Sequence, residues 1–426
     1  MGRLHLRRRR CVGRPAQPIL RSTARPGGDL SIRIMHVDLD AFFVEVCRQR
    51  QPELRSVDLL IVGGRRESRG VVQSASYGAR KFGVRSGMPI GQAARLCPNA
   101  TFVKGEFAHY RQASNAVRAV IQRHAPVAVM TGLDEGYLDF SGTDLLYPVS
   151  LLAVAEQIRH EIQTATGLDC SIGIGPNRMI AKIASDYAKP RAICEVRPGW
   201  ERGFAAGLAL AALPGVGPKT AKRLTERGLS QVAQIQDMPA AELERLVGRD
   251  EARSLIRRSE GRGGTALRSH DTPKSVSRET TFVHDLSSAE ELDRVLLLLT
   301  ARVAGQLRDD GLIAGAVVLK LRHSDFVTVT RRRALTVPTA LDGELLTPAR
   351  ELFGPAFAAA RARQQGIRLL GIAAVGLRAG DVPDLFEAPA RTRTRELTTA
   401  VDEVRARFGF HALHSGRVKP KGKPRD

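Results

Sequence analysis

The chain has 426 residues, enough for several compact domains that each bury a core. Lysine and arginine outnumber aspartate and glutamate by 66 to 44, a formal charge of +22, which points to a polyanionic partner such as nucleic acid. No stretch reaches the ~18 consecutive apolar residues of a membrane span, and the 5 cysteines form no CxxC pair. A membrane protein, a zinc knuckle and a disulfide framework are therefore not expected, and a reducing cytoplasm is.

The basic excess is spread unevenly. Residues 1–30 hold eight arginines and one acid, including Arg7-Arg8-Arg9-Arg10, and residues 411–426 hold five basic residues and one acid, yet an excess remains between them. The first stretch, punctuated by prolines and glycines, reads as a solvated basic extension, with nucleic-acid contact the other reading of such a run.

The first ordered element expected is a short apolar strand, Ile32 to Val37, which delivers Asp38 and Asp40 at its C-terminal end. Strands over Leu59–Val62 and Val71–Ala75 and a helix over Ile90–Leu96 follow. A helix over Tyr110–His124 comes next, then two strands, Val127–Met130 and Gly136–Phe140, meeting at the acidic turn Asp134-Glu135. Leu151, Val154, Ala155, Ile158 and Ile162 recur at helical spacing before Gly167, a good helix terminator. After a strand over Cys170–Ile174, Asn177 is placed to cap a helix carrying Ile180, Ile183, Ala184 and Tyr187. This order suits an α+β domain with helices on one face of an antiparallel sheet.

Leu213-Pro214-Gly215-Val216-Gly217 interrupts a helical, arginine-rich region that runs to about Arg258. Gly and Pro from Gly261 to Pro273 mark a linker. Beyond it the pattern is strand Val276–Phe282, helix Ala289–Leu307, strands Ala314–Leu321 and Phe326–Thr330, helix Asp342–Ala360 and strand Ile367–Val375, a βαββαβ order. A tail with one late helix follows Gly380.

Carboxylates converging from separate strands are what hard divalent cations need. From spacing alone, the Asp38-Leu39-Asp40 and Asp134-Glu135 pairs are read equally well as solvated turn acids. Their neighbours carry more. Val37-Asp38-Leu39-Asp40-Ala41-Phe42-Phe43, Ser76-Tyr77-Gly78-Ala79-Arg80-Lys81-Phe82-Gly83-Val84, Leu133-Asp134-Glu135-Gly136-Tyr137-Leu138-Asp139 and Ala181-Lys182-Ile183-Ala184-Ser185-Asp186-Tyr187-Ala188-Lys189-Pro190 occur in that order. Together they resemble the Y-family of lesion-bypass DNA polymerases, of the DNA polymerase IV type, and the resemblance runs from about Ile32 to Val375.

That resemblance implies an α+β multidomain fold: a ferredoxin-like palm (31–41 and 106–197), small fingers (42–105) and a helical helix-hairpin-helix thumb (198–262). A linker (263–274), a βαββαβ little finger (275–380) and a tail (381–426) complete it. It implies a monomeric translesion polymerase that adds dNTPs to the primer of a primer-template DNA with modest fidelity and no proofreading. Two Mg2+ ions, replaceable by Mn2+, would be held by Asp38, Asp134, Glu135 and the Leu39 carbonyl, with Asp40 a structural hydrogen-bonding residue. Ser74, Tyr77, Arg80 and Lys189 would contact the nucleotide, and Phe43 would act as the steric gate against a ribose 2′-OH while Phe42 packs in the core. Gly132 and Gly136 depart from the Ser and Ala common in the family, which implies a more flexible turn, and Cys47 replaces a common Glu.

Gly215, Gly217 and Lys219 would bring backbone N–H groups to a DNA phosphate, where a plain helix-helix turn is the other reading. Arg331-Arg332-Arg333, placed after a strand, is read as a phosphate contact by Arg331 and Arg332 or as a solvated strand end. Val382-Pro383-Asp384-Leu385-Phe386 stands where such enzymes carry a sliding-clamp peptide, keeping only Leu385 and Phe386 of its anchors. A non-catalytic polymerase-like accessory subunit is the alternative, and it requires loss of the acids that Asp38, Asp134 and Glu135 retain.

Overall fold

A computed structural model describes residues 33–143, 150–267, 273–380 and 389–413. They form two compact units, one from 33–66 with 71–267 and the other from 67–70 with 273–413, and the architecture is α+β multidomain. In the first unit β1 (Ile34–Leu39) leads into α1 (Phe42–Arg50), β2 (Leu60–Val62), β3 (Ser74–Ala75), α2 (Tyr77–Lys81), α3 (Ile90–Leu96) and β4 (Thr101–Val103). Next come α4 (Phe107–Ile121), β5 (Val127–Met130), β6 (Glu135–Asp139), α5 (Leu151–Thr166), β7 (Cys170–Gly175), α6 (Arg178–Ala188) and β8 (Ile193–Glu195). Five short helices follow: α7 (Glu201–Ala206), α8 (Pro218–Thr225), α9 (Val232–Gln236), α10 (Ala240–Val247) and α11 (Arg249–Ser259).

The main sheet has the order β5-β6-β1-β7-β8, so β1 lies at its centre and all six of its residues are buried. Alternation sends Met35, Val37 and Leu39 into a core shared with Val117, Val120 and Ile121 of α4 and Val154, Ile158 and Ile162 of α5. Ile34, His36 and Asp38 point to the other face, where Ile34 packs with Tyr137 and with Ala181 of α6. Helices therefore cover both faces rather than one, and β8 runs parallel to β7 in a sheet expected to be purely antiparallel. The three-residue β8 carries too little pattern to be read from sequence. The approach of α6 depends on the alternate positions Ser171, Gly173 and Gly175 of β7, which present almost no bulk. A Cβ on Gly173 would collide with the Ala181 carbonyl oxygen and the Ser185 backbone nitrogen.

Local signals fix the two main helices. Ser150 caps α5 by accepting from Ala153 N at 3.3 Å, and Gly167 ends it with φ 67°. Asn177 caps α6 by accepting from Ile180 N at 3.0 Å; each such cap is worth ~1 kcal/mol. A small three-stranded sheet, β3-β2-β4, forms a separate core with α2 and α3 through Ile61, Ala75, Ala79, Ile90 and Ala93.

The second unit contains β9 (Ser275–Leu286), α12 (Ala289–Asp309), β10 (Leu312–His323), β11 (Thr328–Thr339), α13 (Asp342–Ala362), β12 (Ile367–Ala379) and α14 (Pro389–Phe408). The antiparallel order β11-β10-β12-β9 realises the βαββαβ chain order. Leu292, Leu296 and Val303 of α12 and Leu345, Phe353 and Phe357 of α13 pack on Val317, Leu319 and Leu321 of β10 and Leu370, Ile372 and Ala374 of β12. Arg331-Arg332-Arg333 lies inside edge strand β11 rather than after a strand. No helix among the described residues is long and apolar enough to cross a membrane.

The close passage of α6 over Gly173 gives a direct check. Gly173→Ala is expected to destabilise the first unit by about 3 kcal/mol, read as a lower urea midpoint for that unit with the second unit's transition unmoved; an unchanged first transition would contradict this packing.

Candidate active site

Strand register assembles the acids. Asp38 of β1 pairs with Glu135 of β6, and Leu39 N donates to the Asp134 carbonyl at 2.8 Å, which ties the turn before β6 to the end of β1. Donor atoms of His36, Asp38 and Glu135 all lie within 4.8 Å of one another. Asp134 is outside that group but lines the same cleft as Asp38 and Leu39. Two carboxylates facing each other, with a third at the rim, form a hard-oxygen donor set that fits a divalent cation such as Mg2+.

Helix α6 supplies the counter-charge. Lys182 Nζ contacts Glu135 Oε2, and Lys189 Nζ, just past the helix end, lies 2.8 Å from Asp38 Oδ1 and 2.7 Å from Asp186 Oδ1. Burial pushes the Asp38 carboxyl up to about 6 against the pull of Lys189, and burial also raises Asp134. Contact with His36, and then Lys182, holds Glu135 down at about 2 although burial opposes it. Burial pulls both ammonium groups down, but the neighbouring acids outweigh it and hold Lys182 and Lys189 above their ordinary range. The fully buried His36 is lowered by burial; its Nδ1 is 2.7 Å from Ser185 Oγ, and its Nε2 is 3.6 Å from Glu135 Oε2, longer than a hydrogen bond.

A cleft of about 310 Å³ opens beside the acids, lined by Asp38, Asp134, Phe43, Ser74, Arg80 and Lys189, with Gln73, Arg85 and Ser86 also on its wall. Ala41, in a left-handed conformation (φ 47°, ψ 38°), turns the chain from β1 into α1. That turn buries Phe42 while Phe43 faces the cleft, its ring edge-on to Tyr110 at 4.4 Å. Arg80 sits over the Tyr77 ring at 5.0 Å and donates through Nε to the Ala75 carbonyl at 2.9 Å.

Tyr77 differs from its expected position. Its hydroxyl donates to Asp40 Oδ1 at 2.9 Å instead of facing the cleft. Asp40 also accepts from Ser171 Oγ at 3.0 Å and from the Arg191 backbone N at 2.9 Å, so it is a buried hub joining β1, β7 and α2 rather than a metal ligand. Gly136 is likewise a packing residue and not a source of flexibility: a Cβ there would lie 2.9 Å from Met130 Sδ and 3.1 Å from the Val129 carbonyl oxygen. Sequence reasoning gave no role to His36, Lys182, Arg85 or Ser86. His36 is detectable as the residue two before Asp38, hence on the same strand face; Lys182 stands inside the fourth motif, and Arg85 and Ser86 carry no signal.

Of the residues expected at DNA, Gly215, Gly217 and Lys219 belong to the first unit and do not line this cleft. Gly217 begins α8, Lys219 is exposed in its first turn, and Gly215 has φ 88° with Arg258 filling the space a Cβ would take. In β11 alternation separates the arginines. Arg333 pairs with Glu351 of α13 at 2.9 Å, so Arg331 shares that side, whereas Arg332 shares the open face of the sheet with Lys320 and Arg322. Leu385 and Phe386, with the rest of the expected clamp peptide, lie outside the described residues.

Comparison with known proteins agrees with this geometry. Residues 37–186 match the impB/mucB/samB family, residues 273–385 that family's C-terminal domain and residues 208–259 a SAM-like helix-hairpin-helix tandem. A Y-family DNA polymerase chimera shares the fold with a TM-score of 0.68 at 23% identity, over 82% of this chain and 100% of the other. DinB from Sulfolobus solfataricus gives 0.55 at 23% identity, over 80% and 98%. The fold is thus that of the Y-family polymerases, with palm, fingers, thumb and little finger. Two relatives are each a DNA polymerase IV. The one from Dehalococcoides mccartyi is 37% identical over 386 residues, spanning 91% of this chain and 97% of the relative. The one from Caulobacter vibrioides is 35% identical over 392 residues, spanning 91% and 94%. The chain belongs to the DNA polymerase IV family and is a DNA-directed DNA polymerase of the translesion type.

The Asp40 hub can be tested apart from chemistry. Asp40→Ala leaves three donors without their acceptor and is expected to cost about 3 kcal/mol in urea denaturation, with Asp40→Asn, which keeps one acceptor oxygen, costing less; equal stability of the Ala variant and the parent would refute the hub.

Proposed function

We propose that the enzyme extends a primer by attack of its 3′-OH on the α-phosphate of a bound dNTP, with pyrophosphate leaving and with Asp38, Asp134, Glu135 and the Leu39 carbonyl holding two Mg2+ ions. One observation carries the reading: Asp38, which lines a cleft together with Asp134, Arg80, Lys189 and Phe43, is the register partner of Glu135 on the neighbouring strand. Two such ions, or Mn2+ in their place, would supply charge neutralisation at the attacking oxygen and the departing pyrophosphate.

The chain's own residues do the rest. Arg80, Ser74 and Lys189 lie on the cleft wall as charge-assisted and hydroxyl donors for a triphosphate, and Arg85 joins them on the same wall. Lys189 is shared between Asp38 and Asp186, so it reaches the nucleotide by leaving Asp38 while remaining close to Asp186. Tyr77 acts indirectly, holding Asp40 below and carrying Arg80 on its ring. Phe43, wedged against Tyr110, stands as a rigid wall on the sugar side and excludes a 2′-OH by bulk.

Duplex contacts fall to the backbone around Gly215 and Gly217, to Lys219, and to Arg332 with Lys320 and Arg322 on the open sheet face, with Arg331 flanking them. Arg331, on the α13 side of β11, would reach a phosphate only from the sheet's edge; these are phosphate contacts, which position DNA without reading its sequence. The fingers (42–105) comprise short strands, the nine-residue α1 and the five- and seven-residue helices α2 and α3, which favours modest fidelity because little protein closes over the nascent pair. No proofreading step is part of the proposal, and the enzyme is proposed to act as a monomer.

Primer extension on damaged and undamaged templates tests the centre. Asp134→Ala is expected to lower kcat by about 100-fold to 1000-fold while primer-template affinity, read by fluorescence anisotropy, stays within a factor of three; retention of more than a tenth of the parent rate would remove Asp134 from the chemistry. For the sugar wall, Phe43→Ala is expected to raise ribonucleotide incorporation relative to dNTP by about 10-fold to 100-fold, and unchanged selectivity would reassign Phe43 to packing alone.

A further inference from the structure

We propose that Phe326, at the tip of the β10–β11 hairpin, is a stacking platform for an unpaired base of the single-stranded template ahead of the primer end. Phe326 is among neither the cleft residues nor the duplex contacts assigned above, and its role is independent of how Asp38, Asp134 and Glu135 hold metal.

Backbone geometry singles the residue out. The His323 carbonyl accepts from Phe326 N at 3.0 Å and the Val327 carbonyl from His323 N at 2.9 Å, so Ser324, Asp325 and Phe326 alone turn the chain. In three-residue hairpin loops the last position commonly takes the left-handed conformation that glycine adopts without steric cost. Here it holds a phenylalanine at φ 68°, a bulky side chain where that conformation is disfavoured. The strain persists because the tip is pinned from several sides. Val327 N donates to Asp325 Oδ1 at 2.9 Å, Ser324 N donates to the Gly366 carbonyl at 3.0 Å, and Ser324 Oγ donates to Gln365 Oε1.

The turn throws the ring outward. Phe326 is 62% exposed, and the Arg368 guanidinium of β12 lies over its ring at 4.4 Å from the centre. One face of the ring is thus backed by a cation, and the other is left for a second planar group. A lone exposed phenylalanine is ordinary. One held in a strained turn against a cation is not, and Arg322 stands alongside, donating to Thr328 Oγ1 at 2.9 Å. Asp325 is the one acid of the turn, and its Oδ1 already accepts from Val327 N. Arg322 and Arg368 would therefore meet the phosphates that flank a stacked base, the combination of aromatic surface and positive charge that holds single-stranded nucleic acid. Bases inside a duplex have both faces covered by their neighbours, so the ring selects an unpaired one. A polymerase that copies a template always meets such bases just beyond the nucleotide being paired, and stacking holds them whatever their sequence.

The experiment titrates the full-length protein, at one fixed salt concentration, with three labelled DNAs: a primer-template with a single-stranded 5′ overhang, the same DNA with abasic sites in the overhang, and the blunt duplex. Phe326→Gly is expected to weaken binding of the intact overhang by about 5-fold to 100-fold, with the abasic and blunt DNAs bound within about threefold of the parent. Phe326→Tyr is expected to keep the overhang affinity. Glycine relieves the left-handed strain, so the second unit's urea midpoint in Phe326→Gly is expected to match or exceed the parent's, which separates lost binding from lost folding. Equal losses on all three DNAs overturn the proposal. So does an undiminished affinity of Phe326→Gly for the overhang, which would leave the ring to a protein partner. Equal affinity of the parent for intact and abasic overhangs also overturns it, and that comparison needs no variant.

Discussion

The structure depends on how closely α6 lies against the central sheet. Ser171, Gly173 and Gly175 leave a shallow track on β7, and the helix settles into it until backbone meets backbone at Gly173. Everything polar at the site follows from that distance. Ser185 reaches His36, Lys182 reaches Glu135, and the chain leaving the helix brings Lys189 to Asp38. A helix raised by the thickness of one methyl group would take Lys189 from the buried Asp38, Lys182 from the half-buried Glu135 and Ser185 from the buried imidazole.

Charge is balanced locally rather than by solvent. The face opposite the α4–α5 core holds Asp38, Glu135 and Asp186 against Lys182 and Lys189, and burial alone pushes Asp38 toward neutrality. The Lys189 ammonium, 2.8 Å away, opposes that push and supports the anionic form. Asp40, one residue beyond Leu39, has a different fate because three donors already satisfy it. Two acids two positions apart on one chain thereby meet different surroundings, one beside the Lys189 ammonium at the cleft and one held by three hydrogen-bond donors.

Much of this was legible in the sequence. Ile90–Leu96 and Val127–Met130 appear with the bounds their patterns gave, and Leu151 to Gly167 is framed by its cap and its terminator. Asp38, Asp134 and Glu135 were identifiable because their neighbours form four ordered motifs; spacing alone did not single them out. What escaped notice had physical reasons. β8 is too short to show a period, and the glycines that admit α6 to the second face of the sheet leave no hydrophobic signature. His36 is hidden in an apolar run where a lone histidine passes for core. β11 runs on through its arginines to Thr339, where an edge strand exposed on both sides shows no alternation of apolar and polar residues.

That edge strand has a consequence for the protein's behaviour in solution. β11 ends the sheet β11-β10-β12-β9, and an uncovered border offers unpaired amides and carbonyls to any passing chain. Arg331, Arg332 and Arg333 put three bulky cations along that border, pointing alternately to its two sides. Arg333 is paired with Glu351, so two molecules approaching border to border would bring Arg331 and Arg332 of each together, and the sheet resists growing by self-addition.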